Sequence, residues 1–118
     1  MHAYLGVTLQ NVSANVARVF HLPVSSGALI ESVQPSTAAA KAGLRGGTVK
    51  ETVAGEDYTM GGDIIVGAAG KAVRTIDELR DLISTRKPGD TLTLQLYRGT
   101  KKLTVTVTLG RQPSAPPG

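Results

Sequence analysis

At 118 residues the chain is long enough for one domain with its own core, and no second domain is expected. The absence of cysteine excludes disulfides, thiolate catalysis and cysteine-ligated zinc or iron–sulfur sites. A net charge of +4 and a pI near 9.7 permit contact with anionic polymers, but the basic residues are scattered and only three tyrosines and one phenylalanine are present, so the basic track with stacking rings of a nucleic-acid platform is missing and no nucleic-acid partner is expected.

The chain opens on Met1-His2-Ala3, which has neither the basic start nor the apolar stretch of a signal peptide, the pattern expected of an excised domain with an added start codon. Leu5, Val7 and Leu9 then alternate with Gly6 and Thr8, the period of a half-buried strand. A glycine at the mouth of such a strand lets successive amides converge on an anion, and a free strand edge beside it can pair with an extended peptide. Ser13 is placed to cap a short helix running to about Phe20, with Val16, Val19 and Phe20 on one face and Pro23 ending it. The preceding Asn11-Val12-Ser13 fits the glycosylation sequon, a pattern short enough to recur by chance.

Gly27 to Val33 is rich in branched apolar residues and reads as a strand, broken at Pro35-Ser36. A small-residue helix is expected from about Thr37 to Ala42, stopped at Gly43. Between Arg45 and Met60, two polar strand-like runs flank Ala54-Gly55 and predict an exposed β-hairpin that decorates the fold. Asp63-Ile64-Ile65-Val66 reads as a buried strand, followed by a turn through Gly67 and Gly70 and a short edge at Lys71 to Val73.

Thr75-Ile76-Asp77-Glu78 has the form of a capping box, in which the threonine hydroxyl accepts from the Glu78 amide and the glutamate reaches back to the Thr75 amide. The helix is expected to continue to about Thr85, short of Pro88-Gly89. Its two apolar stripes divide between core and surface, with Leu79 and Leu82 inward and Ile76, Arg80, Ile83 and Ser84 along a groove. Leu92, Leu94 and Leu96, then Leu103, Val105, Val107 and Leu109, alternate with threonines and Gln95 across a turn at Arg98 to Lys102, which predicts an antiparallel hairpin.

The chemistry of acyl transfer is not expected in these residues. His2 and His21 are the only histidines, no Gly-x-Ser-x-Gly elbow or serine set between glycines is present, and the adjacent acids Glu56-Asp57 and Asp77-Glu78 are poorly placed for shared acid–base work. No histidine-rich metal spacing and no phosphate-cradling loop occurs, so no cofactor is expected.

Four segments together carry a resemblance: Tyr4-Leu5-Gly6-Val7, Gly27-Ala28-Leu29-Ile30, Ala39-Ala40-Lys41-Ala42-Gly43-Leu44 and Gly61-Gly62-Asp63-Ile64-Ile65. They resemble the bacterial PDZ domains that follow the protease domain in HtrA/DegP-family serine proteases. The resemblance implies an α+β fold, a small and partly open β-barrel or sandwich capped by two to three helices, over 4–109, with 45–61 as an inserted hairpin and 110–118 as a disordered, proline-rich tail.

It also implies a site. The main-chain amides of Leu5, Gly6 and Val7 are expected to hold a peptide carboxylate, with Tyr4, Thr8, Leu9, Ile76, Arg80, Ile83 and Ser84 along the peptide groove and an aliphatic or small aromatic last residue in its pocket. The Arg80 stem is expected to cover that pocket, with its guanidinium in solvent or on an acidic residue upstream in the peptide. Replacing Gly6 by valine is expected to abolish binding with the fold kept. The implied partners are C-terminal or extended segments of misfolded proteins and an N-terminal protease domain in the parent chain, outside the cytoplasm, with the isolated piece a monomer and no direct membrane insertion. Two alternatives use the same fold: a non-proteolytic adaptor or secretion scaffold, and the PDZ part of a C-terminal processing or intramembrane protease.

Overall fold

Position 6 divides the expected first strand in two, because Gly6 adopts φ +91°, a conformation that breaks strand pairing. The computed structural model describes residues 3–111, and in it β1 (Ala3–Tyr4) and β2 (Val7–Val12) flank the Leu5-Gly6 break. Helix α1 (Ala14–Val19) follows, capped by Ser13, whose hydroxyl accepts from the Val16 amide at 3.1 Å. Val16 is buried as expected, whereas Val19 is 51% exposed, so the inward stripe of this one-and-a-half-turn helix is narrower than the sequence pattern implies.

Strand β3 (Gly27–Val33) is buried on both faces over its first four residues, which explains its continuous apolar sequence. Helix α2 (Ala38–Lys41) is capped by Thr37. The hairpin of β4 (Val49–Val53) and β5 (Glu56–Met60) turns at Ala54-Gly55, both at positive φ (+52° and +83°), the backbone that matches the twist of two tightly joined strands. Strand β6 (Ile64–Ala68) runs two residues further than its sequence suggests and turns at Ala69-Gly70 into β7 (Lys71–Ala72).

Helix α3 (Ile76–Ser84) begins at Thr75, whose hydroxyl accepts from the Glu78 amide at 3.2 Å. The reciprocal bond is displaced by one residue, because the Glu78 carboxylate accepts from the Arg74 amide at 3.1 Å rather than from Thr75. Strands β8 (Thr91–Arg98) and β9 (Lys101–Thr108) pair through a two-residue turn at Gly99-Thr100. Gly110–Arg111 form β10 against β1, so ordered backbone continues two residues into the expected tail, and residues 112–118 lie outside those described.

The main sheet runs β2-β3-β6-β8-β9 with β7 on β6, and the β1–β10 and β4–β5 pairs stand as separate two-stranded sheets, so the strands do not close into a barrel. Ala28, Ile30, Ile65, Leu92, Leu94 and Leu96 form the main core with Leu79 of α3. Fully burying a leucine such as Leu79 contributes about 2 kcal/mol.

A second cluster fills the opposite face of β3: Leu29 and Ile64 pack with Val12 and Val16 and with Tyr58 and Met60 of the hairpin. The 45–61 hairpin is therefore anchored and not simply an exposed decoration. Its base is tied to β3 as well, the Glu31 carboxylate accepting from the Thr59 amide at 2.9 Å and the Glu31 carbonyl from the Gly47 amide at 3.0 Å.

Candidate functional site

The Leu5-Gly6 break forms the floor of the candidate site. The Leu5 and Gly6 carbonyls turn toward the protein, accepting from the Ala39 and Gln34 amides at 2.9 Å each. Their own amides donate to no backbone partner among the described residues, although both residues are buried. Main-chain amides of a packed segment are nearly always paired, so two left over in succession offer a site for an anion. The side-chain space at Gly6 is already filled: a Cβ there collides with the Thr37 side chain, the cap of α2. Gly6→Val therefore strains the backbone and clashes, so the expectation that it spares the fold does not hold.

Beside the break, β2 is the terminal strand of the main sheet and among the described residues pairs only with β3, leaving its outer edge free of them. Helix α3 faces that edge because Leu79 is fully buried and its flanking residues lie on either side of the anchored stripe. Between them lies a mainly apolar groove of about 360 Å³. Tyr4, Leu5, Gly6, Val7 and Leu9 line one wall, and Arg80, Ile83 and Ser84 line the other. Ala3, absent from the sequence reading, completes the floor, and its signal is only a small residue next to the break.

Two expected residues do not line the groove. Thr8 points away from it as the alternate residue of the strand, and its hydroxyl accepts from Gln34 Nε2 at 3.2 Å. Ile76 is partly buried against the main core, as Val7, Leu9 and Ile83 are, but it does not line the groove, and its amide donates to Asn11 Oδ1 at 2.8 Å, a contact across 65 residues. The Ser84 hydroxyl is committed to the Asp81 carbonyl at 2.7 Å, so it offers the groove bulk and a hydroxyl oxygen. Arg80 is exposed and forms no ion pair among the described residues, where the single salt bridge is Arg98–Asp63.

That salt bridge escaped the sequence reading, in which Arg98 was one scattered cation. Asp63 is fully buried, and its carboxylate receives Arg98 Nε and Nη2 at 2.9 Å each and the Arg45 amide at 3.0 Å. The Asp63 hydrogen bond raises Arg98 above its ordinary basicity, against the opposing pull of partial burial. No group of acidic or histidine side chains with metal-binding geometry occurs among the described residues.

The family profile described as PDZ domain matches residues 3–109. The chain belongs to the PDZ domain family. Among curated proteins, the domain is 35% identical over 111 residues to the periplasmic pH-dependent serine endoprotease DegQ of Escherichia coli (strain K12), covering 94% of this chain and 21% of that protein. It is 33% identical over 114 residues to a probable periplasmic serine endoprotease DegP-like of Marinomonas sp. (strain MWYL1), covering 97% of this chain and 21% of that protein. The domain thus spans about a fifth of the length of the curated relatives it matches.

Solved structures share the fold. The HtrA-type protease AlgW with a decapeptide superposes with TM-score 0.72 at 19% identity, over 98% of this chain and 30% of that one. The HtrA3 PDZ domain bound to a phage-derived ligand, FGRWV, gives TM-score 0.69 at 21% identity, over 91% of this chain and 84% of that one.

Proposed function

We propose that this domain is the peptide-binding part of a periplasmic HtrA-type serine endoprotease, which captures C-termini or extended segments of substrate proteins for a catalytic domain elsewhere in the parent chain. The observation that carries the reading is the meeting of two unpartnered amides, Leu5 and Gly6, with the free edge of β2 at one end of an apolar groove. A peptide laid antiparallel to β2 places its terminal carboxylate on those amides and the Val7 amide, and its last side chain among Val7, Leu9 and Ile83. Tyr4, Arg80 and Ser84 border that pocket. The ligands in two structural neighbours, one of them ending in valine, support a peptide as the guest.

The energetics suit reversible capture. A few strand hydrogen bonds at about 1 kcal/mol each and one buried side chain at about 2 kcal/mol act against the ordering of a flexible peptide, which leaves micromolar affinity. The test is a fluorescent peptide ending in a free aliphatic residue, compared with its C-terminal amide. The amide is expected to bind about tenfold more weakly, because it removes the anion that the Leu5 and Gly6 amides receive. Equal dissociation constants refute the carboxylate assignment.

A further inference from the structure

We propose that β9 pairs with β9 of a second copy of this chain, making a symmetric dimer whose main sheet runs unbroken through both domains. Of the two terminal strands of the main sheet, β9 is the one opposite β2, and no strand lies on its outer side among the described residues. It carries none of the devices that keep a sheet edge from pairing. Its register with β8 runs from Lys101 to Thr108 without a shift, and Leu103-Thr104-Val105-Thr106-Val107-Thr108 holds no proline, glycine or charge, the two lysines standing at the turn end. Leu103 and Val105 pack against the main core yet stay partly exposed at this margin, whereas Val107 is fully buried.

The turn at Gly99-Thr100 decides which backbone groups face outward. A two-residue turn is closed by a hydrogen-bonded pair, here Arg98 with Lys101, so the bonded pairs to β8 recur at Leu103, Val105 and Val107. Lys102, Thr104, Thr106 and Thr108 then turn their N–H and C=O groups away from β8, toward the free edge. An antiparallel pairing with its two-fold axis at Val105 matches all four at once: Thr104 meets Thr106 of the second copy and Lys102 meets Thr108, each in both directions. Moving the axis to Thr104 or Thr106 loses one of these pairs. With the axis at Val105, Leu103 faces Val107 across the seam and Val105 faces its own copy, which covers the apolar margin. The cross-strand threonine pairs of β8–β9, such as Thr93 with Thr106, continue over the seam. No like charges stand opposite each other, because Lys102 and its counterpart are roughly 20 Å apart at about 3.3 Å per residue, beyond the screening length of about 8 Å. Both β2 strands, and the grooves beside them, remain at the outer edges. The isolated domain, expected from its resemblance to be a monomer, is in this reading a concentration-dependent dimer.

The experiment is sedimentation velocity on the whole chain from about 5 µM to about 1 mM, the range in which a short strand seam holds against the loss of free tumbling. The native chain is expected to pass from monomer to dimer across it, and a monomer at every concentration overturns the proposal. Thr104→Pro removes an outward amide that no β8 bond uses, and Thr104→Lys with Thr106→Lys sets like charges opposite each other at exposed positions, so each is expected to weaken dimerisation by about tenfold or more. Urea midpoints near the native value identify the folded variants, and a folded variant that dimerises as the native chain does overturns the role of β9. The axis is read with Val105→Cys, in a chain that has no other cysteine. Residues facing each other on the axis form a non-hydrogen-bonded pair about 4.5 Å apart, within disulfide reach, so oxidation is expected to bridge Val105→Cys about tenfold faster than Thr108→Cys. Equal rates, or no bridge at Val105→Cys, overturn the pairing centred on Val105.

Discussion

The Asp63 carboxylate and the Arg98 guanidinium meet in two parallel hydrogen bonds of 2.9 Å, Nε to Oδ1 and Nη2 to Oδ2. Arg98 Nη2 also donates to the Gly43 carbonyl at 3.0 Å, and Asp63 exchanges backbone and side-chain bonds with Arg45. The pair thus holds the segment that leaves α2, while the other end of α2 is held by the Leu5 carbonyl and packs Thr37 on Gly6. The short helix between them fixes the floor of the groove relative to the main sheet.

Removing the cation from this pair is expected to cost more than removing the acid. Arg98→Met leaves a carboxylate uncompensated in the interior and is expected to destabilise the domain by about 3 kcal/mol, while Asp63→Leu with Arg98→Met costs less than Arg98→Met alone. Urea midpoints of Arg98→Met, Asp63→Leu and the double variant check the order. Because the folded state raises the basicity of Arg98, its contribution is fully present below the ordinary arginine range and is lost only above it, so through this residue stability does not vary near neutral pH.

The hairpin anchor gives an alkaline prediction. Burial raises the Tyr58 phenol above its ordinary value, with further contributions from Glu56, which its hydroxyl approaches at 3.3 Å, and from Glu31. A tyrosine whose folded pKa is raised stabilises the fold below its unfolded value, about 10, and that stabilisation is lost as pH rises through the folded value. Tyr58→Phe is therefore expected to flatten the loss of stability above about pH 10. An unchanged alkaline profile refutes the anchor.

Arg80 offers a charge to the groove with no ion-pair partner among the described residues. Arg80→Glu is expected to weaken a peptide with an acidic residue upstream of its last position by about threefold to tenfold and to strengthen its lysine counterpart, with both effects shrinking at high salt. The magnitude is small because Arg80 is exposed. Peptide anisotropy at two ionic strengths measures it, and equal responses of the two peptides place the guanidinium outside the ligand's reach.

How much of this was legible in the sequence followed the range of the interaction. The β8–β9 alternation, the Ser13, Thr37 and Thr75 caps and the Ala54-Gly55 turn are local signals, and each element lies where its residues indicate. Gly6 marked the break, but a period-2 reading across it merged two strands into one. Ile76 and Ile83 share a stripe two turns apart, yet only Ile83 lines the groove, and the Ile76 amide is taken by Asn11 from another element. The partners of Asp63 and Asn11 lie 35 and 65 residues away, and no periodicity records a contact of that span.

The floor of the groove yields a prediction with two separable parts. At Gly6 an added Cβ meets both a backbone at φ +91°, which costs a non-glycine residue about 1–2 kcal/mol, and the Thr37 side chain, which cannot retreat without releasing its bonds to the Gln34 carbonyl at 2.7 Å and the Ala40 amide at 3.4 Å. Gly6→Ala is accordingly expected to destabilise the domain by more than the backbone amount alone. Thr37→Gly removes the clashing atoms and, as glycine at a helix cap, costs only a few tenths of a kcal/mol. Gly6→Ala with Thr37→Gly should then recover the steric part and leave about 1–2 kcal/mol, read from denaturant midpoints. Peptide affinity should remain low in the double variant if the left-handed backbone, and not the contact with α2, is what points the Leu5 and Gly6 amides at the ligand. Full recovery of affinity would assign that role to the packing of Thr37 instead.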